Sequence, residues 1–193
     1  MTEIEAINIA LQTIGEIPIT TSTVIADVYE ATIAESILAE VKREVLTKGM
    51  NCNTDTSWVL NADSSGYIAL AGGILRLESS ENQPYIMKDN KLYNKKDHTF
   101  LFTAGQSVKV DIVWDLDFDN LPHAIAYYIA LKTARVTQSR LLGSGDIIKV
   151  LMHDEEQARL SMLEHDIDTS HYNIFDNSVN NRVKNRSSNP RGI

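Results

Sequence analysis

The chain has 193 residues, a mass of 21.6 kDa and a formal charge of −8 at neutral pH, with 43% hydrophobic and 23% charged residues. It is too apolar for wholesale disorder and too often interrupted by charge for a membrane span, so one compact soluble body is expected. The lone Cys52 excludes an internal disulfide and an all-cysteine metal site, as expected of folding in a reducing cytoplasm. Glu3 and Glu5 stand where a secretory leader would carry Lys or Arg. Arg182, Lys184, Arg186 and Arg191 against Asp176 give residues 176–193 a charge of +3, so the first 175 residues carry −11 and the two together make the total of −8. An acidic surface of that kind does not suit a protein that grips nucleic acid throughout.

A first helix is predicted from Thr2, whose hydroxyl forms a capping box with Glu5; Ile4, Ile7, Leu11 and Ile14 make its apolar stripe, and Gly15 and Pro18 stop it. A second helix is predicted from about Asp27 to Lys48, with Ala31, Ala34, Leu38, Val41 and Val45 inside and Gly49 as a left-handed cap. From Asn51 to Asp119 the pattern turns to short β runs: SWVL, GYIAL, ILRLES, PYIMKDNKLY, TFLFT and SVKVDIVW. Asp89-Asn90 reads as a tight hairpin turn, and Val108, Val110, Ile112 and Trp114 alternate as the buried face of the clearest strand. A third helix is expected after an Asn120 cap with Pro122 in its first turn, ending near Leu142. Leu121, Ile125, Tyr128, Ile129, Lys132, Val136 and Ser139 lie along one side of it. A fourth, from about Asp146 to Asp166, presents Ile147, Leu151, Ala158, Met162, Ile148 and His165 inward and Asp154, Glu155, Gln157 and Glu164 to water.

These elements define an α+β protein. Two N-terminal helices (1–50) and two C-terminal helices (119–171) complete a four-helix bundle around an inserted antiparallel β region (51–118), and an extended basic C-terminal arm (172–193) follows. Residues 176–193 have no periodic apolar pattern and are expected to order on a partner.

No catalytic, cofactor or metal signature stands out. Asp115, Asp117 and Asp119 alternate, so in a strand they would share a face, yet no calcium-loop glycine and glutamate follow, and a solvated strand end is the better reading. His98, His123, His153, His165 and His171 show no ligand spacing. Ser144 between Gly143 and Gly145 lacks the strand-turn-helix setting of a nucleophile, and Ala71-Gly72-Gly73 lacks the rest of a dinucleotide fingerprint.

Several segments, in order, resemble the tail tubular protein A family of T7-like short-tailed bacteriophages: ALQTIGEIPIT (10–20), KGMNCNTD (48–55), DFDNLP (117–122), YIALKTARVTQSRLLGS (128–144) and YNIFD (172–176). Met50 stands where that family often has an aromatic residue, and the chain after Asp176 matches no family pattern. The resemblance implies a structural virion protein, not an enzyme and without a cofactor. It implies a head-to-tail adaptor forming a dodecameric ring below the portal, continuing the DNA channel to the nozzle (tail tubular protein B), with tail fibres near the junction. DNA would pass without specific binding, no membrane would be involved, and assembly would occur in the host bacterial cytoplasm. On that reading Tyr172, Asn173, Ile174 and Phe175 belong to a portal-binding arm anchored by Tyr172, Ile174 and Phe175, with Arg182, Lys184 and Arg186 adding polar contacts. The alternatives from other classes are a glycan hydrolase using Asp/Glu pairs of the β region and a DNA-end-binding packaging factor.

Overall fold

The computed structural model describes residues 1–81 and 83–170. Helices α1 (Glu3–Ile14) and α2 (Tyr29–Leu46) come first, then strands β1 (Thr54–Asn61), β2 (Ile74–Ser79), β3 (Tyr85–Lys88), β4 (Lys91–Asn94) and β5 (Ser107–Trp114), then helices α3 (His123–Leu141) and α4 (Gly145–Thr169). Short 3-10 turns occupy Ser22–Asp27, Asn51–Asn53 and Phe118–Asn120. The class is therefore α+β with antiparallel sheets, as the sequence implies.

The capping box of α1 is formed: the Thr2 hydroxyl accepts the Glu5 N–H at 3.3 Å and the Glu5 carboxylate accepts the Thr2 N–H at 2.8 Å. Ala6, Ile7, Ala10 and Leu11 are buried, while Ile4 and Ile14 sit at the margin of the core. The Asn8 side chain bonds both the N–H and the carbonyl of Ile19, at 2.8 and 2.9 Å, and folds the linker back onto the helix. Helix α2 begins two residues later than expected, because the 3-10 turn Ser22–Asp27 runs into extended Val28 (φ −114°). Its expected inner residues are all buried, together with Ile37 and Leu46.

All four helices feed one apolar core. Helix α3 packs against α1, α2 and α4, and α1 packs against α2; α4 rests mainly on α3. Each fully buried aliphatic side chain contributes about 1.5–3 kcal/mol, so this core outweighs the solvent-screened Glu40–Arg140 ion pair at 2.8 Å. The start of α3 departs from expectation. Asn120 closes a 3-10 turn, its N–H bonded to Asp117 O at 3.1 Å, and Pro122 takes the cap position before the helix opens at His123. The buried face is also broader than one stripe: Thr133, Thr137 and Gln138 are 0% exposed, whereas Ser139 faces solvent. On α4, Leu151, Ala158 and Met162 are buried as expected, but Ile147 is 41% exposed, and Glu155 is half-buried because it pairs with Arg135 of α3.

A three-stranded antiparallel sheet, ordered β1-β5-β2, and the separate β3–β4 hairpin share a second, smaller core built on Ile68, Leu92, Val108, Val110 and Ile112. The hairpin turns at Asp89 (φ 51°) and Asn90 (φ 55°), the left-handed pair that a two-residue connection requires. Two expected strands are absent. GYIAL touches the hairpin through the single bridge Ala69–Lys91, because Asp63 draws the N–H groups of Ser65 and Tyr67 into a turn at 2.8 and 2.9 Å. TFLFT makes only the Asn94–Thr99 bridge, as the Thr99 hydroxyl accepts the Leu101 N–H at 3.0 Å and bends the chain. Strand β1 carries a bulge between Asp55 and Trp58, where Ser57 (φ 56°) gives its N–H to the Asp111 carboxylate at 2.8 Å. The Ser80 hydroxyl and that Ser57 amide hold the Asp111 carboxyl below its ordinary pKa.

Of the alternating residues Val108, Val110 and Ile112 are buried and Trp114 only partly so, while Val113 is buried too, because it lies beneath Gly49, where α2 gives way to the sheet. Gly49 has φ +78°, and a Cβ there would stand 2.8 Å from Arg76 Nη2 and 3.2 Å from Val113 Cγ2. Gly15 has φ +82° but open space around it. Gly49→Ala should therefore lower the unfolding free energy by about 2–3 kcal/mol and Gly15→Ala by only about 1 kcal/mol; urea denaturation of the two variants measures the difference.

Candidate functional site

The chain leaves the helical layer after α2 and re-enters it before α3, and a single buried side chain ties the two crossings together. Asn53, 2% exposed, accepts the Met50 N–H at 2.8 Å and donates to Leu46 O at 3.0 Å and to Trp114 O at 2.8 Å. Beside it Lys42 of α2 meets the Asp115 carboxylate and the Leu116 carbonyl, both at 2.9 Å. On the other side Asn51 gives its N–H to Asp166 and its side-chain amide to Thr169 O, both at 2.7 Å, so the end of α4 is fastened to the same junction.

The three alternating aspartates thus serve the fold separately. Strand β5 ends at Trp114, so they do not share a strand face. Asp115 pairs with Lys42, the Asp117 carbonyl closes the 3-10 turn, and Asp119 accepts the Glu3 N–H at 2.8 Å, holding the start of α1. Glu3, Lys42, Asp117 and Asp119 line an open cleft of about 520 Å³ together with Leu38 and Asn120. Burial, then the Glu35 and Asp119 charges, raise the Glu3 carboxyl above its usual pKa.

No group of three or more His, Cys, Asp or Glu among the described residues is placed to hold a metal ion. His98 and His153 are exposed, His123 stacks on Tyr127 at 6.0 Å, and His165 is half-buried on α4; His171 lies outside the described residues. Cys52 is on the surface of the Asn51–Asn53 turn, and surrounding protein and the Asp166 carboxylate push its thiol up, away from a reactive thiolate. Ser144 is the N-cap position of α4, its carbonyl accepting the Ile148 N–H at 3.0 Å. The portal-arm residues Tyr172, Asn173, Ile174, Phe175, Arg182, Lys184 and Arg186 lie outside the described residues.

Two exposed surfaces stand out instead. On the β3–β4 hairpin, Lys88 lies 5.3 Å over the Tyr93 ring and Lys91 4.4 Å over Tyr67, with Phe100 edge-on to Tyr93 at 4.8 Å. On α4, Met152, Leu160, Leu163 and Ile167 are 57%, 43%, 39% and 70% exposed. The sequence reading missed both this second α4 stripe and Asn53. The stripe was legible as a 160-163-167 spacing, whereas Asn53 had only its place between a helix end and a strand to mark it.

Contact surfaces and a braced junction are the features of an assembly protein. The chain belongs to the tail tubular protein family, whose model matches residues 4–172. It is 29% identical over 170 residues to the tail tubular protein A of Klebsiella phage KP34, a match covering 86% of this chain and 87% of that protein. The protein is a structural component of a phage virion's tail.

Two tests follow from the junction. Asn53→Ala removes the acceptor of Met50 N–H and the donor to two carbonyls, and should cost about 3 kcal/mol with no change in the helical content of the folded state, read by urea denaturation and circular dichroism. For Glu3 the sign is that of a carboxyl raised in the folded state. Its ionised form opposes folding above the folded pKa and has no such effect below the unfolded value. Glu3→Gln should accordingly stabilise the protein at neutral pH, and the difference between variant and parent should shrink to nothing on acidification through the ordinary carboxyl range. A gap constant with pH would refute the assignment.

Proposed function

We propose that this protein is the head-to-tail adaptor of a short-tailed phage: a dodecameric ring that joins the portal to the tail nozzle and continues the DNA channel. The observation that carries the reading is the family match, which runs from the first turn of α1 through the β region to the end of α4. The helices 1–50 and 119–171, as a four-helix bundle, would form the ring wall; the β region 51–118 would face the nozzle and the tail fibres. The role is structural, with no turnover of a substrate.

Charge supports the channel. A body at −11 lets DNA slide, since like charge shortens its residence on the wall. Residues 172–193 would reach the portal, with Tyr172, Ile174 and Phe175 as anchors and Arg182, Lys184 and Arg186 as polar contacts. Ordering on contact gains interface area without a large preformed patch.

Electron microscopy of the purified chain mixed with its portal should reveal a ring stacked coaxially on the portal ring. Deleting residues 172–193 should leave a folded protein that no longer joins portal rings. Assembly retained by the deletion variant would sink the arm assignment, and a persistent monomer from the full chain would sink the adaptor reading itself.

A further inference from the structure

The core-facing residues of α4 are Leu151, Ala158 and Met162. At about 100° per residue, Met152, Leu160, Leu163 and Ile167 project from the flank and back of α4, away from that buried line, and α4 rests mainly on α3, so none of the described elements covers them. Single exposed apolar residues are ordinary, but four along one helix face form a stripe that favours an occupant. Glu156 lies within the stripe, neutralised by Arg159 at 2.7 Å; Asp146, Glu164 and Asp168 border it, and among the described residues only Asp146 of these three has a cation beside it, Lys149 at 3.2 Å. The occupant should therefore be apolar along its centre and basic at its margin.

The chain itself carries such a segment. Residues 171–193 follow directly on α4 and bring Tyr172, Ile174, Phe175, Val179 and Val183 together with Arg182, Lys184 and Arg186. From Thr169 back to Met152 the helix covers about 25 Å at ~1.5 Å per residue, which roughly eight extended residues span at ~3.3 Å each. After a reversal past Ser170 the segment has chain to spare.

We propose that in the free protein the C-terminal segment 172–193 docks on the outer face of its own α4, with its apolar residues on Met152, Leu160, Leu163 and Ile167 and its cations toward Glu164 and Asp168. Being tethered at the end of the groove it covers, the segment needs only weak contacts to stay there. The docking does not depend on the ring. Where the ring does form, the segment must leave α4 to reach a portal, so the free chain holds its arm back until a better partner competes for it.

Limited trypsin digestion of the folded full-length chain, with cleavage at Arg182, Lys184 and Arg186 followed by mass spectrometry, tests this. In the parent these sites should be cut several-fold more slowly than in the double variant Leu160→Ser, Leu163→Ser. The charge-removing pair Glu164→Gln, Asp168→Asn changes exposed positions only, adds no trypsin site and should release the sites likewise, so it decides the matter if the leucine variant fails to fold. Raising the salt concentration should speed cleavage of the parent and leave the charge-removed pair unchanged. Equal rates in the parent and the folded variants would overturn the proposal. So would protection that disappears on dilution, which would make the occupant a second copy.

Discussion

The amide of Asn53 is the fastening on which the two-layer architecture depends. A β region inserted between two pairs of helices enters and leaves the helical layer by single chain crossings, and each crossing ends an element with unpaired backbone groups. Asn53 answers both at once, donating to the last turn of α2 at Leu46 and to the last residue of β5 at Trp114. Hydrogen bonds of this kind are modest individually, but a buried carbonyl left without its donor loses about 1–3 kcal/mol, so the two layers are held in one orientation by an interaction expensive to break. Lys42 with Asp115, Asp119 with the Glu3 amide, and Asn51 with the end of α4 then brace the same point from three sides.

Electrostatics organise the surface more than the interior. The helical layer is cemented by apolar burial, and pairs such as Lys132 with Glu44 and Arg140 with Glu40 mainly fix how α3 lies on α2. The carboxylates left over give the body its negative field. Against it stand the lysines of the hairpin face and the basic sequence of the C-terminal segment.

Features set by neighbouring residues were legible in the sequence. Thr2 and Glu5 announced the start of α1, Asp89-Asn90 the hairpin, and the 31-34-38-41-45 spacing the buried face of α2, because each rests on local geometry alone. Features set by distant partners were not. GYIAL has strand composition but bends into a turn at Asp63, and Thr133, Thr137 and Gln138 look like a polar margin of α3 yet are buried. Helical period tells that a face is apolar, not how many helices will surround it. The buried polar groups of these three find no hydrogen-bond partner among the described protein groups, a cost that the aliphatic core around α3 offsets. At the level of function, the ordered family segments led to the tail tubular family, while the hairpin surface emerged only once the elements were packed.

The bulge in β1 has a bearing on how the protein survives being made in quantity. Strand β1 is an edge of its sheet and carries Trp58 and Val59 half-exposed, the profile of a strand that recruits another copy by backbone pairing. Its ladder is broken between Asp55 and Trp58, where the left-handed Ser57 turns its amide toward Asp111 and away from any newcomer. A second copy approaching that edge meets an interrupted row of donors. The same bulge that re-aims two residues of β1 therefore works against runaway sheet growth by backbone pairing.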